Sequence, residues 1–263
     1  MTYLLFDVVF LVVPAVSLLA SARDRLREPR AWWALVGMMV LAVAYTGPWD
    51  SYLVRTGVWD YGADRVQWTI AAVPVEEYAF MLLQVLLTGS FLLRIERRLP
   101  ASAVAPTRRA RAAGAAVWIV AGLLGAALLP GEATRYLGLI LVWVSPVLAG
   151  QWALGGRQFW SSRRLVSWSV IVPTLYLWVA DWIALRLGIW EISPRYSTGI
   201  GVLGLPVEEM AFFALTNLLV IQGMLLVLRG PGGASADPPG SVVSGRTRGS
   251  RDGSRTPDGL FIP

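Results

Sequence analysis

Apolar residues run along this chain in seven long blocks, at 3–20, 31–49, 68–93, 112–129, 136–154, 165–185 and 201–228, with short polar stretches between them. Each block approaches or exceeds the length of about 20 residues that carries a helix through a hydrocarbon core. The pattern predicts an all-α integral membrane protein with about seven transmembrane helices. Composition agrees: of 263 residues, 56% are hydrophobic and 15% charged, with a mean hydropathy of +0.57. That leaves too little polar surface to cover a water-soluble globule.

Two of the blocks break their own rule. The stretch VPVEEYAF at 73–80 places Glu76 and Glu77 side by side after Pro74, and LPVEEMAFF at 205–213 does the same with Glu208, Glu209 and Pro206. The match extends well beyond the motif. Tyr45, Asp50, Arg55, Gly57, Trp59 and Asp60 recur 131 positions later as Tyr176, Asp181, Arg186, Gly188, Trp190 and Glu191. Pro74 to Phe80 recurs 132 positions later as Pro206 to Phe212. Helix 1, opening with Tyr3-Leu4 and containing Pro14, has a weaker echo in helix 5, which opens with Tyr136-Leu137 and contains Pro146. Helices 1–3 therefore correspond to helices 5–7, and an odd connector, helix 4, gives both units the same orientation. The predicted organisation is two parallel three-helix repeats, 1–98 and 132–229, joined by a linker with helix 4 at 99–131. A Gly/Pro/Ser/Arg-rich tail at 230–263 lacks the apolar content to order itself; its arginines suit either anionic headgroups or plain solvation.

Charge changes the topology rather than the class. The net charge of +6 comes with arginines concentrated in alternate loops, after helices 1, 3, 5 and 7. By the positive-inside rule this predicts an external N-terminus and a cytoplasmic C-terminus in the cell membrane, and no nucleic-acid role. The first block is read as a retained helix, not a cleaved signal. Cysteine, histidine and lysine are all absent. Disulfides, thiolate and imidazole chemistry, His-based metal sites and a retinal Schiff base are thereby excluded.

Carboxyls in hydrocarbon are costly, and face a protein interior where they are neutral or paired. Two identical pairs in register point to function, with acid–base work the natural use. Counting from the start of each block puts the glutamates about eight residues into their helices, about 12 Å along the axis. Adjacent helical residues diverge by about 100°, so one member of each pair faces the cavity. Glu76 and Glu208 are favoured, because Phe80 and Phe212 follow each by four residues and would bring an aromatic ring to the same face. Pro74 and Pro206 are read as helix-bending residues. Asp50 and Asp181 are read as caps or turn residues at the water boundary or as partners of the glutamates, with Arg55 and Arg186 as their counter-ions. Trp59 and Trp190 are read as interfacial anchors.

These residues together resemble the small membrane lycopene cyclases of bacteria, archaea and fungi, in the fused form that carries two Pro-x-Glu-(Glu/Asp) motifs on one chain. The resemblance covers roughly 1–228. It implies redox-neutral cyclisation of the ψ-ends of a linear carotenoid, lycopene, dissolved in the lipid bilayer, with γ-carotene and then β-carotene as products. It also implies acid and base drawn from the two motifs, and a neighbourhood of other carotenoid-pathway enzymes. No dinucleotide-binding glycine motif is present, so neither a flavin or nicotinamide cofactor nor a metal is expected. A C50 carotenoid β/ε-cyclase and a proton-coupled transporter remain alternatives. A magnesium-dependent prenyltransferase fits less well, because clustered diphosphate-binding acids are missing.

Overall fold

The computed structural model describes residues 1–62, 64–99 and 108–230. The tail beyond Gly230 and part of the linker lie outside the described residues. Among the described residues, seven helices are long and apolar enough to cross a membrane. They are α1 (Tyr3–Ser21), α2 (Pro29–Arg55), α3 (Val75–Ile95), α4 (Arg108–Leu128), α5 (Arg135–Ser161), α6 (Arg163–Arg186) and α7 (Val207–Arg229).

α3 and α7 form the centre of the bundle and touch each other. α3 packs against α1, α2 and α6, while α7 packs against α5, α6 and α2, so helices of each half reach across to the other. α4 lies along α5 and is largely exposed. The central contact is polar as well as apolar. Gln84 Nε2 on α3 donates to Thr216 Oγ1 (2.9 Å) and Asn217 Oδ1 (3.2 Å) on α7, Thr88 Oγ1 donates to Asn217 Oδ1, and Asn217 Nδ2 donates to Thr174 Oγ1 on α6. A satisfied buried network of this kind specifies one register between the helices.

Among the described residues, three two-stranded antiparallel sheets cap the end of the bundle that carries the glutamates. β1 (Trp59–Tyr61) pairs with β4 (Trp190–Ile192) and so joins the two halves. β2 (Thr69–Ile70) with β3 (Val73–Pro74), and β5 (Gly201–Val202) with β6 (Leu205–Pro206), are tight hairpins leading into α3 and α7. Their two-residue turns, Ala71-Ala72 and Leu203-Gly204, all have positive φ, as primed hairpin turns require.

These hairpins correct the expected starts of two spans, because residues 68–74 and 201–206 are not helical. They also change the role of Pro74 and Pro206. Each stands in extended conformation immediately before its helix and bends nothing. Proline lacks the N–H that a helix interior needs but suits the position before the first turn, where that donor has no helical partner. The helix-interior prolines are others, including Pro48, Pro146 and Pro173. Pro14 in α1 cannot bond the Phe10 carbonyl, and Tyr176 Oη of α6 donates to that oxygen at 2.7 Å. Tyr45 Oη of α2 makes the matching bond to the Trp143 carbonyl of α5, ahead of Pro146, also at 2.7 Å.

At the opposite end, Glu96 accepts from Arg25 (2.9 Å) and Arg229 (3.1 Å), tying the α1–α2 connection to the ends of α3 and α7.

Candidate active site

Because α3 and α7 begin right after the prolines, all four glutamates fall in the first helical turn rather than two turns in. Helix N-termini favour negative charge through their unpaired N–H groups. All four side chains are buried.

The members of each pair turn apart as expected, but with the opposite sense. Glu76 Oε1 accepts from the backbone N–H of Gln67 at 3.0 Å, and Glu208 Oε1 from that of Thr198 at 2.6 Å. These two hold the loops that precede the hairpins. Glu77 and Glu209 instead line a small central cavity with Phe80, Phe212, Phe213 and several aromatic residues from the loops and helix starts. Two of the four carboxyls therefore converge, and they are not the favoured pair. The physical reason is the short loop folding back over each helix start. It offers its amide to the first glutamate and leaves the second to face inward.

Each converging carboxyl is held by a tyrosine from the first helix of its own half. Tyr3 Oη donates to Glu77 Oε2 at 2.6 Å, and Tyr136 Oη to Glu209 Oε1 at 2.5 Å. Glu77 Oε2 also accepts from Tyr61 Oη at 3.2 Å. Tyr61 lies on β1, outside the spans, where burial and the Glu77 charge push its phenol pKa up and keep it a donor. Sequence reading missed these three tyrosines as site residues, although Tyr3 and Tyr136 were visible as the opening of the weak echo between helices 1 and 5.

The aromatic walls are exchanged between the halves. Phe80 meets the edge of Trp190 with ring centroids 6.0 Å apart, and Trp59 meets Phe212 at 5.7 Å. Tyr3 packs on Trp190 and Tyr136 on Trp59. Trp59 and Trp190 are thus buried walls of the cavity and not interfacial anchors. The pairing of β1 with β4 carries each tryptophan into the opposite corner.

Asp50 and Asp181 are also corrected. Both lie buried inside helices that continue to Arg55 and Arg186, so they neither cap nor reach a water boundary. Asp181 Oδ1 accepts from Trp190 Nε1 at 2.9 Å, while the Asp50 oxygens have no hydrogen-bond partner among the described residues. Asp181 therefore acts on the cavity wall through a tryptophan. The arginines do not pair with these acids: Arg55 Nε donates to Ser51 Oγ, and Arg186 lies over the Trp182 ring at 4.4 Å.

From the shared edge formed by Glu77, Phe80 and Phe212, a long apolar groove continues between α2, α3, α5 and α7. The arrangement offers two carboxyls on an apolar space with aromatic faces close by. It can hand over and accept protons where a cation forms, away from bulk water.

Known proteins are similar to this chain in sequence. A family model described as lycopene cyclase matches residues 1–94 and 134–226. A lycopene beta-cyclase of Halobacterium salinarum is 45% identical over 226 residues, covering 86% of this chain and 95% of the relative. Bifunctional lycopene cyclase/phytoene synthases of Arthroderma gypseum and Phaeosphaeria nodorum are 36% and 34% identical over 72% and 85% of this chain, which spans 35% and 40% of their lengths. No solved structure is a significant match to the chain. With the family model covering both motif-bearing halves and the archaeal relative covered almost end to end, the chain belongs to the lycopene cyclase family.

Proposed function

We propose that this protein is a lycopene β-cyclase that closes the ψ-ends of lycopene to β-ionone rings, by way of γ-carotene to β-carotene. The observation that carries the reading is the convergence of Glu77 and Glu209 on one aromatic-walled cavity, each held by a tyrosine hydroxyl.

In this reading the carboxylic acid transfers its proton to the terminal double bond, leaving a tertiary carbocation. The neighbouring double bond attacks that centre, forming the ring bond and moving the positive charge into the ring. The carboxylate then removes an adjacent ring proton, and its electron pair becomes the ring double bond. One proton enters and one leaves, so substrate and product are isomers and no redox cofactor or metal is required. The faces of Phe80, Phe212, Trp59 and Trp190 stabilise the passing cation. Unequal hydrogen bonding supports Glu77, with two phenol donors on one oxygen, as the base and Glu209, with one, as the acid. Between turnovers the proton returns from Glu77 to Glu209.

Glu76 and Glu208 act as positioning residues through the loop amides they accept from. The repeat units 1–98 and 132–229, with the linker at 99–131, remain our division of the chain, supported by the offsets of 131 and 132 positions. The arginine distribution supports a cell-membrane protein with its N-terminus outside and its C-terminus cytoplasmic, the glutamate end facing outward.

Pigment analysis of lycopene-accumulating cells tests the reading. Expression of the intact chain is expected to yield ring-bearing carotenoids, and expression of Glu77→Gln to leave lycopene unchanged. Unchanged lycopene with the intact chain, present in the membrane, would overturn it.

A further inference from the structure

The groove that leaves the carboxyl cavity is much larger than the cavity itself, about 1240 Å³ including its open mouth. It follows α7 from Phe212 to Val227, which is about 22 Å at the helical rise per residue. That is most of a hydrocarbon core of about 30 Å. Leu41, Tyr45 and Val227 on its rim are exposed, so it opens sideways to lipid. Four of its polar side chains direct hydrogens at the protein: Gln84 to Thr216, Thr216 to the Phe212 carbonyl, Gln151 to the Leu219 carbonyl and Tyr45 to the Trp143 carbonyl, which leaves Thr46, Glu77 and the unpartnered Gln151 Oε1 as the polar points of an otherwise apolar lining. Such a lining suits a hydrocarbon and not a polar solute.

We propose that this groove binds the linear polyene chain of the substrate, its reacting end at Glu77 and the rest extended along α7, and that Gly223 sets the groove's depth as a specificity-determining residue. The inference rests on the cyclase reading, and its basis is continuity, since Glu77, Phe80 and Phe212 line both spaces. A Cβ built at Gly223 would stand 2.6 Å from Met38 Sδ and 3.4 Å from Gln151 Nε2, both of which border the groove, so any side chain there enters it or displaces them. The residue 132 positions earlier, at the offset of the glutamate motifs, is Phe91, and Pro173 stands 131 positions after the groove residue Ala42. The other half therefore does not carry the same lining. One chain then holds one substrate by one end, and a molecule with two ψ-ends must leave and re-enter reversed to become bicyclic.

The test uses full-length protein in lipid nanodiscs, lycopene, and a short acyclic terpenoid with the same end group. Gly223→Leu is expected to raise KM for lycopene at least about tenfold, the cost of overfilling a packed site, with little change in turnover of the short substrate. Gly223→Ala is expected to give a smaller rise in the same direction, which keeps the test open if the leucine variant folds poorly. Gly150→Leu, on an exposed position with open space around it, is expected to leave both unchanged. Equilibrium binding of lycopene to Glu77→Gln, with and without Gly223→Leu, reads the groove without turnover, and the added leucine is expected to weaken binding by the same factor. Cyclisation by the intact chain together with unaltered KM and binding in the Gly223 variants would overturn the groove and leave the cyclase intact. Binding that depends on Gly223 without cyclisation by the intact chain would overturn the cyclase reading instead.

Discussion

The Glu77 and Glu209 corners are built largely from the same parts and differ chiefly in two contacts, a second phenol on Glu77 and the hydrogen bond from Trp190 to Asp181. Each has a first-turn glutamate facing inward, a phenol from the first helix of its half, a phenylalanine one turn on and a tryptophan delivered by the strand from the other half. The Glu77 corner adds Tyr61, whose counterpart 131 positions later is Ile192. The proposed mechanism needs two unequal carboxyls, and Tyr61 together with the Trp190–Asp181 bond gives the two corners different surroundings.

The comparison breaks most severely if either carboxyl is neutralised. Glu77→Gln and Glu209→Gln are each expected to reduce cyclisation at least about 100-fold, the usual scale of general acid–base catalysis, when products are measured in membranes with equal protein. Near-normal activity in either variant would remove that corner from the mechanism. Next in size, Tyr136→Phe takes away the only phenol on Glu209 and is expected to slow turnover about tenfold or more, on the scale of a hydrogen bond to a charged group. Tyr3→Phe is expected to cost less, because Tyr61 still serves Glu77; equal losses would contradict the unequal roles. Tyr61→Ile leaves each carboxyl with one phenol and is expected to lower kcat about threefold to tenfold with KM nearly unchanged. Smallest of all, Glu76→Gln and Glu208→Gln keep a side-chain oxygen for the loop amide. They are expected to hold activity within about threefold, while alanine at either position lowers the melting temperature by removing the hydrogen bond that ties the loop to the helix start.

The contrast within each glutamate pair also marks how far the chain could be read without coordinates. The two Pro-Val-Glu-Glu motifs in register mark α3 and α7 and all four carboxyls that the structure buries. The choice between neighbours depends on helix rotation, and the four-residue spacing to Phe80 and Phe212 favours Glu76 and Glu208. Phe80 and Phe212 also follow Glu77 and Glu209 by three residues, a spacing that shares a face equally well, and it is this pair that faces the cavity. The deciding contacts come from the amides of Gln67 and Thr198, in loops nine and ten residues upstream. Asp50, Asp181, Trp59 and Trp190 were likewise recognised by recurrence but placed at the water boundary, where such residues often sit. The pairing of β1 with β4 puts the tryptophans in the interior, and the continuation of α2 and α6 to Arg55 and Arg186 puts the aspartates there.

By itself, then, the sequence determined that this chain lives in a membrane, crosses it about seven times, and carries duplicated acidic motifs of the lycopene cyclase family. Those properties follow from composition, block length and spacing, which are local or additive along the chain. The tertiary structure decided which carboxyl of each pair turns inward, which tyrosines hold it, that each half's tryptophan serves the other half's corner, and that one groove leads away toward Gly223. These depend on short loops folding back and on helices of one half packing against the other, contacts between residues far apart in the chain that no local pattern encodes.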